Sequence, residues 1–214
     1  MISAVVFTGG CNFSCPFCHN PELVRPDLLS AQYSIPIDRV LEKLNRRKGF
    51  IEAVTITGGE PLLFDDLAEL LDRIRSETSM KIKLDTNGSL PDRLAEVLPL
   101  LDYIAMDLKT SPSKYRQATG DRMGFEKPAL SVELVKSLPA YEFRTTMVPG
   151  IVDADDVVEL LEATGHLKRY VLQRFRSEKT LSPEFTGLPP YPRGYIEELA
   201  SSIGSMADEI EVRS

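Results

Sequence analysis

Cys11-Asn12-Phe13-Ser14-Cys15-Pro16-Phe17-Cys18 is the stretch around which the chain is organised, a C-x3-C-x2-C loop holding all three cysteines of the protein. A short apolar run, Ala4 to Thr8, leads into it through Gly9-Gly10, where the backbone can approach a bulky group. Three thiolates from one tight loop suit an iron–sulfur cluster with one iron left without a protein ligand. A closed structural metal site usually takes four protein ligands, so the missing fourth points to chemistry at an open position. Two other readings use the same residues. His19 follows Cys18 and permits a Cys3His zinc knuckle, and Cys15 to His19 spells C-x-x-C-H, a haem attachment. The zinc reading needs neighbouring residues to serve one tetrahedral centre and has no second half-site. Haem attachment belongs with an exported chain.

Composition narrows the setting. The 214 residues, 43% of them hydrophobic, suffice for one domain (1–214) with a sizeable core. A formal charge of −7 and a pI near 5.0 argue against a nucleic-acid partner, because neutralising phosphates takes clustered Lys and Arg. Three cysteines in one loop are no disulfide framework and fit a reducing compartment. Met1 to Ala4 lacks a basic n-region, Val5 to Phe7 is too short for a signal h-region, and no apolar run approaches the ~20 residues that span a bilayer. The expectation is a soluble cytoplasmic protein without a membrane partner.

Outward from the loop, strands and helices alternate. Strands are expected at Ala4–Thr8, Ala53–Thr57, Lys81–Thr86, Asp102–Asp107, Glu142–Val148 and Arg169–Phe175, with Asp208–Arg213 as a final short one. Helices are expected at Ile37–Arg47, Asp65–Ser76, Pro91–Leu98, Pro128–Leu138, Asp153–Ala163 and Tyr195–Met206. Asn20-Pro21-Glu22 and Pro26 predict irregular chain after the cysteines. Thr110–Lys127 reads as a polar loop, and Ser177–Gly194, with Pro183, Pro189, Pro190 and Pro192, as an extended one. Six strands alternating with helices predict an α/β fold, a partial (β/α)6 barrel wound right-handed and open on one side. Every unusual motif falls just after a strand, the face on which barrel enzymes carry their chemistry.

Taken singly, these motifs have plain readings. Glu60 in Gly58-Gly59-Glu60-Pro61 is either a surface acid in a glycine turn or a carboxylate aimed at a cofactor's ammonium group. Asp85-Thr86-Asn87-Gly88 and Asp107-Leu108-Lys109 are either turn chemistry and a strand-end ion pair or a second set of ligand contacts. Arg144 is either paired with a surface acid or directed to the same face.

Together the motifs resemble the radical S-adenosylmethionine (SAM) enzymes. The loop is similar to their C-x3-C-x-aromatic-C signature, with Phe17 as the aromatic residue, and Gly58–Pro61 to their methionine-binding motif. DTNG at Asp85–Gly88, DLK at Asp107–Lys109, Cys18–Glu22, Lys114–Gly120 and Arg144–Pro149 resemble the activating enzymes of glycyl radical enzymes, those of pyruvate formate-lyase and anaerobic ribonucleotide reductase above all. The resemblance implies a 4Fe–4S cluster on Cys11, Cys15 and Cys18, and SAM against Gly58, Gly59, Glu60, Asp85 and Asn87. It gives Asp107, Lys109 and Arg144 a place near SAM's carboxylate or the substrate, with a monovalent cation in some members. Pyruvate formate-lyase activases carry a histidine at the end of the sixth strand. Gln173 stands there here and would supply an amide oxygen in place of the imidazole, which puts the cation site in question.

The activity so implied starts with one electron from a flavodoxin or ferredoxin, reductive cleavage of SAM to methionine and a 5′-deoxyadenosyl radical, and hydrogen abstraction from a glycine of a partner enzyme. A radical SAM enzyme acting on a small molecule, such as a 7-carboxy-7-deazaguanine synthase, shares the first two motifs. A non-catalytic metal-binding module accounts for the cysteines alone. Beyond the cofactor motifs no buried charged constellation built to grip a small polar metabolite is expected, and the open barrel side with the Lys114-Tyr115-Arg116 loop suits a flexible peptide partner.

Overall fold

The computed structural model describes residues 1–29 and 34–214. One seven-stranded sheet runs through it: β1 Ser3–Thr8, β2 Ala53–Gly58, β3 Lys81–Thr86, β4 Tyr103–Asp107, β5 Tyr141–Met147, β6 Leu167–Arg174 and β7 Ala207–Arg213. The strands lie in chain order and every neighbouring pair is parallel. Parallel neighbours in sequence order demand a crossover each time, which winds the sheet towards a barrel. It stays open between β1 and β7. The six expected strands are present within a residue or two of their bounds, and the short run near the C-terminus is a full seventh.

The helices are α1 Pro21–Val24, α2 Pro26–Leu29, α3 Ile37–Asn45, α4 Leu67–Thr78, α5 Pro91–Val97, α6 Tyr115–Thr119, α7 Glu126–Lys136, α8 Ala154–Thr164 and α9 Arg193–Ser202. Two expectations are corrected. Pro21 and Pro26 each open a short helix instead of preventing one, since proline's fixed φ and missing N–H suit the first helical position. The part of that irregular stretch at 30–33 lies outside the described residues. Thr110–Lys127 is no open loop either: α6 forms inside it, and its Tyr115 is fully buried.

Alternation along the strands separates two faces. Val54, Ile56, Ile82, Leu84, Ile104, Met106, Phe143, Tyr170 and Leu172 are completely buried and join the core with Leu71 and Ile74 of α4, Val135 of α7 and Leu160 of α8. The intervening residues face the concave side and are largely polar: Thr55, Lys83, Asp85, Asp107, Glu142, Arg144, Arg169 and Arg213. Asp153 caps α8, accepting from the Asp156 N–H while the Asp156 carboxylate accepts from the Asp153 N–H.

Candidate active site

The cysteine loop sits over the C-terminal ends of the strands and is fastened from three sides. Ser14 N–H donates to Thr119 O (2.8 Å) and Ser182 N–H to Pro16 O (2.9 Å). Below it, Gly59 N–H donates to Thr8 O (3.0 Å) and Glu60 N–H to Gly10 O (2.8 Å). That crossing explains both glycines of the Gly58-Gly59-Glu60 turn. A Cβ on Gly59 would stand 1.9 Å from Gly10 O, and one on Gly58, whose φ is +136°, 2.2 Å from Thr8 O.

Around the thiols lies a second apolar cluster of Phe13, Phe17, Tyr115, Val148 and Phe175, separate from the main core. Tyr115 packs on Phe13 and Phe125 with ring centroids 6.2 and 5.2 Å apart, and the backbone N–H of Lys109 donates to its hydroxyl. The segment read as a recognition loop is therefore a prop for the cysteines. Its charged members are engaged as well, Lys114 with Asp156 (2.7 Å) and Asp153 (3.4 Å), Arg116 with Glu126 (3.7 Å).

Cys15 is buried, Cys11 and Cys18 half-buried, and none is disulfide-bonded. Burial pushes the Cys15 thiol up to about 12, with Lys109 the main opposing charge, and raises Cys11 in the same way. Cys11 Sγ also accepts from Phe13 N–H (3.4 Å) and Asn87 Nδ2 (3.9 Å), contacts that favour a thiolate. Among the described residues no three Cys, His, Asp or Glu side chains converge closely enough to hold a single metal ion. His19 instead lies against Phe175, with ring centroids 6.0 Å apart. Three soft donors in an apolar shell, too spread for one ion and with no fourth ligand, fit a cluster with an open iron and not a zinc knuckle.

Glu60 is not the surface acid of the plain reading. It is completely buried, and its carboxylate accepts from Leu62 N–H (3.1 Å), Thr86 Oγ1 (2.7 Å) and Asn87 N–H (2.7 Å). Burial pushes it up to about 7 against these three donors and the Lys109 charge. Its oxygens lock the DTNG turn to the glycine turn. Asn87 is engaged similarly, donating to Asn12 Oδ1 (3.2 Å) and accepting from Ser89 N–H (2.9 Å).

Asp85, Asp107, Lys109 and Arg144 do come together. Arg144 Nε donates to Asp107 (2.7 Å), its NH1 to Asp85 (3.2 Å), and Lys109 Nζ lies 3.0 Å from Asp107. Burial opposes ionisation of Asp107, yet Arg144 and Lys109 hold its carboxyl well below the usual carboxylate range. Gln173 stands on β6 in register with Thr146 and Arg213, on the same face of the sheet. The array continues down the concave face. Glu142, almost wholly buried, is ringed by Arg213 (3.2 Å), Lys83 (3.6 Å), Arg169 (3.6 Å) and Arg144 (3.9 Å), with the Tyr103 hydroxyl at 3.3 Å. A buried charged constellation thus lies beyond the cofactor motifs, its members paired with one another. Its signal lay in the charges at alternate strand positions, Lys83/Asp85, Glu142/Arg144 and Glu209/Glu211/Arg213.

The model of the radical SAM superfamily matches residues 5–163, a span that includes the cysteine loop, both glycine turns and Arg144. The chain belongs to the radical SAM superfamily. Membership implies a 4Fe–4S cluster and SAM, which the donor set of this loop fits. A Methanocaldococcus jannaschii protein provisionally named a glycyl-radical enzyme activating enzyme is 29% identical over 219 residues, 99% of this chain and 89% of that one. A 7-carboxy-7-deazaguanine synthase from Methanothermobacter thermautotrophicus is 35% identical over 101 residues, 47% of this chain and 38% of its own. The crystal structure of Streptococcus suis SuiB bound to precursor peptide SuiA superposes with a TM-score of 0.72 at 14% identity, over all of this chain and 49% of that one. The chain thus spans about half of that structure, and the likeness is one of fold. Among the described residues no helix is long and apolar enough to cross a membrane.

Proposed function

We propose that this radical SAM enzyme is an activating enzyme that forms a glycyl radical on a partner protein. The observation that carries the proposal is the match to the M. jannaschii protein of that provisional name, which runs through nearly the whole of both chains. Cys11, Cys15 and Cys18 would hold the cluster, and the backbone of Gly58 and Gly59 with Asp85, Asp107, Lys109 and Arg144 would receive the aminoacyl end of SAM. Bound together, the two groups supply reductive cleavage of SAM and, through it, removal of one hydrogen atom from a substrate C–H bond.

The protein's share is placement and exclusion of water. Phe13, Phe17, Tyr115 and Phe175 cover the thiols, and Glu60 keeps the two turns at fixed separation. Arg144 and Lys109 present positive charge without needing to reorganise, because Asp85 and Asp107 already hold them. At the open edge, Val5 and Phe7 of β1 are 51% and 58% exposed on the concave side, an apolar wall against which an extended segment of a partner can lie. A flavodoxin or ferredoxin would provide the electron. The test is anaerobic formation of 5′-deoxyadenosine by reduced, reconstituted protein. The proposal predicts strong stimulation by a glycyl radical enzyme; stimulation by small molecules alone would refute it.

A second reading, a small-molecule substrate such as that of a 7-carboxy-7-deazaguanine synthase-like reaction, draws on the charged concave face around Glu142. The same assay decides between the two.

A further inference from the structure

The resemblance to activating enzymes carries with it a monovalent cation between strand-end carboxylates, and the residues of this chain do not fit one. All four carboxylate oxygens of Asp85 and Asp107 already face a cation of the chain itself. For Asp85, Oδ1 is buried and accepts no hydrogen bond, though Lys83 Nζ stands 3.3 Å away, and Oδ2 has Arg144 NH1 at 3.2 Å. For Asp107, Oδ1 has Arg144 Nε at 2.7 Å and Oδ2 has Lys109 Nζ at 3.0 Å. Among the described residues no three Cys, His, Asp or Glu side chains make an ion site, and Gln173, in register with Thr146 and Arg213 on the same face, brings no negative charge to it.

Charge balance leads to the same place. Asp85, Asp107, Glu142, Glu209 and Glu211 are interlinked with Lys83, Lys109, Arg144, Arg169 and Arg213. Each carboxylate is matched by a base, and no uncompensated negative charge is left to hold an added ion against the repulsion of three nearby cations. Arg144 is built for the central position. It stands directly across from Asp107 in the β4–β5 register, its side chain is 11% exposed, and its planar fork reaches carboxylates on two different strands at once.

We propose that Arg144 is a resident substitute for the diffusible cation, so that this enzyme binds SAM without Na+ or K+. Two readouts test it, neither of which needs a substrate protein: thermal unfolding of the metal-free chain, and SAM affinity of the anaerobically reconstituted protein by equilibrium dialysis. Each is compared in NaCl, KCl and choline chloride at equal ionic strength. The wild type is expected to give the same melting temperature and the same affinity in all three. Arg144→Gln, which opens a gap between Asp85 and Asp107, is expected to melt higher in NaCl or KCl than in choline chloride, whereas Arg144→Lys is not. A severalfold loss of SAM affinity by the wild type in choline chloride would overturn the proposal. So would a folded Arg144→Gln chain indifferent to the cation. If that variant does not fold, the wild-type comparison decides alone.

Discussion

Replacing Glu60 by alanine should change stability in a way that depends on pH with a predictable sign. The carboxylate is fully buried and accepts from Leu62 N–H, Asn87 N–H and the Thr86 hydroxyl. Alanine strands the two backbone donors, at roughly 1–3 kcal/mol each; the hydroxyl can rotate. Against this stands the cost of ionising the group where it lies. Its pKa rises from 4.5 to about 7, which at roughly 1.4 kcal/mol per unit is about 3 kcal/mol. An acid with a raised folded pKa binds its proton more tightly when folded. Its stabilising share is therefore complete below pH 4.5 and declines as pH rises through 7.

The loss caused by Glu60→Ala should accordingly be largest below pH 4.5 and smaller by about 3 kcal/mol at pH 8. Urea unfolding of metal-free wild type and variant, run anaerobically at several pH values, measures the difference, in which contributions from all other groups cancel. Asp107, held below the usual range, loses its contribution only at more acidic pH and falls outside this window. A destabilisation equal at pH 5 and pH 8 would refute the buried, pH-sensitive role assigned to Glu60.

Alanine at Cys11, Cys15 or Cys18 should each prevent anaerobic reconstitution to the about four irons per chain expected of the parent, as read by iron analysis. Gly59→Ala should disrupt the turn and abolish SAM binding by dialysis, because its Cβ would lie 1.9 Å from the Gly10 carbonyl oxygen and neither backbone can yield cheaply. Phe13→Ala should cost ~3–5 kcal/mol of stability and speed bleaching of the reconstituted cluster in air, since Phe13 and Tyr115 together cover the thiols.

What could be read in the sequence was local. The C-x3-C-x2-C spacing and the glycine turn lie within a few residues each, and strand periodicity put both at the same end of a parallel sheet. Relations between distant residues were not legible. Glu60 looks like an exposed acid in a turn because two of its partners, Thr86 and Asn87, arrive from the next strand. Tyr115 sits among polar neighbours, and only the fold brings it onto Phe13. The charged concave face did leave a trace, acids and bases two apart in β3, β5 and β7, but alternation reads by default as a solvent-facing side. The open barrel turns that side inward.

The most direct test of the account is electron paramagnetic resonance on a mixture of reduced, reconstituted protein, SAM and a candidate glycyl radical enzyme. The account predicts a doublet from a glycine-centred radical on the partner, absent when its acceptor glycine is alanine and absent with the Cys15→Ala form of this chain. An unmodified partner, in a mixture where a small metabolite drives rapid 5′-deoxyadenosine formation, would contradict it.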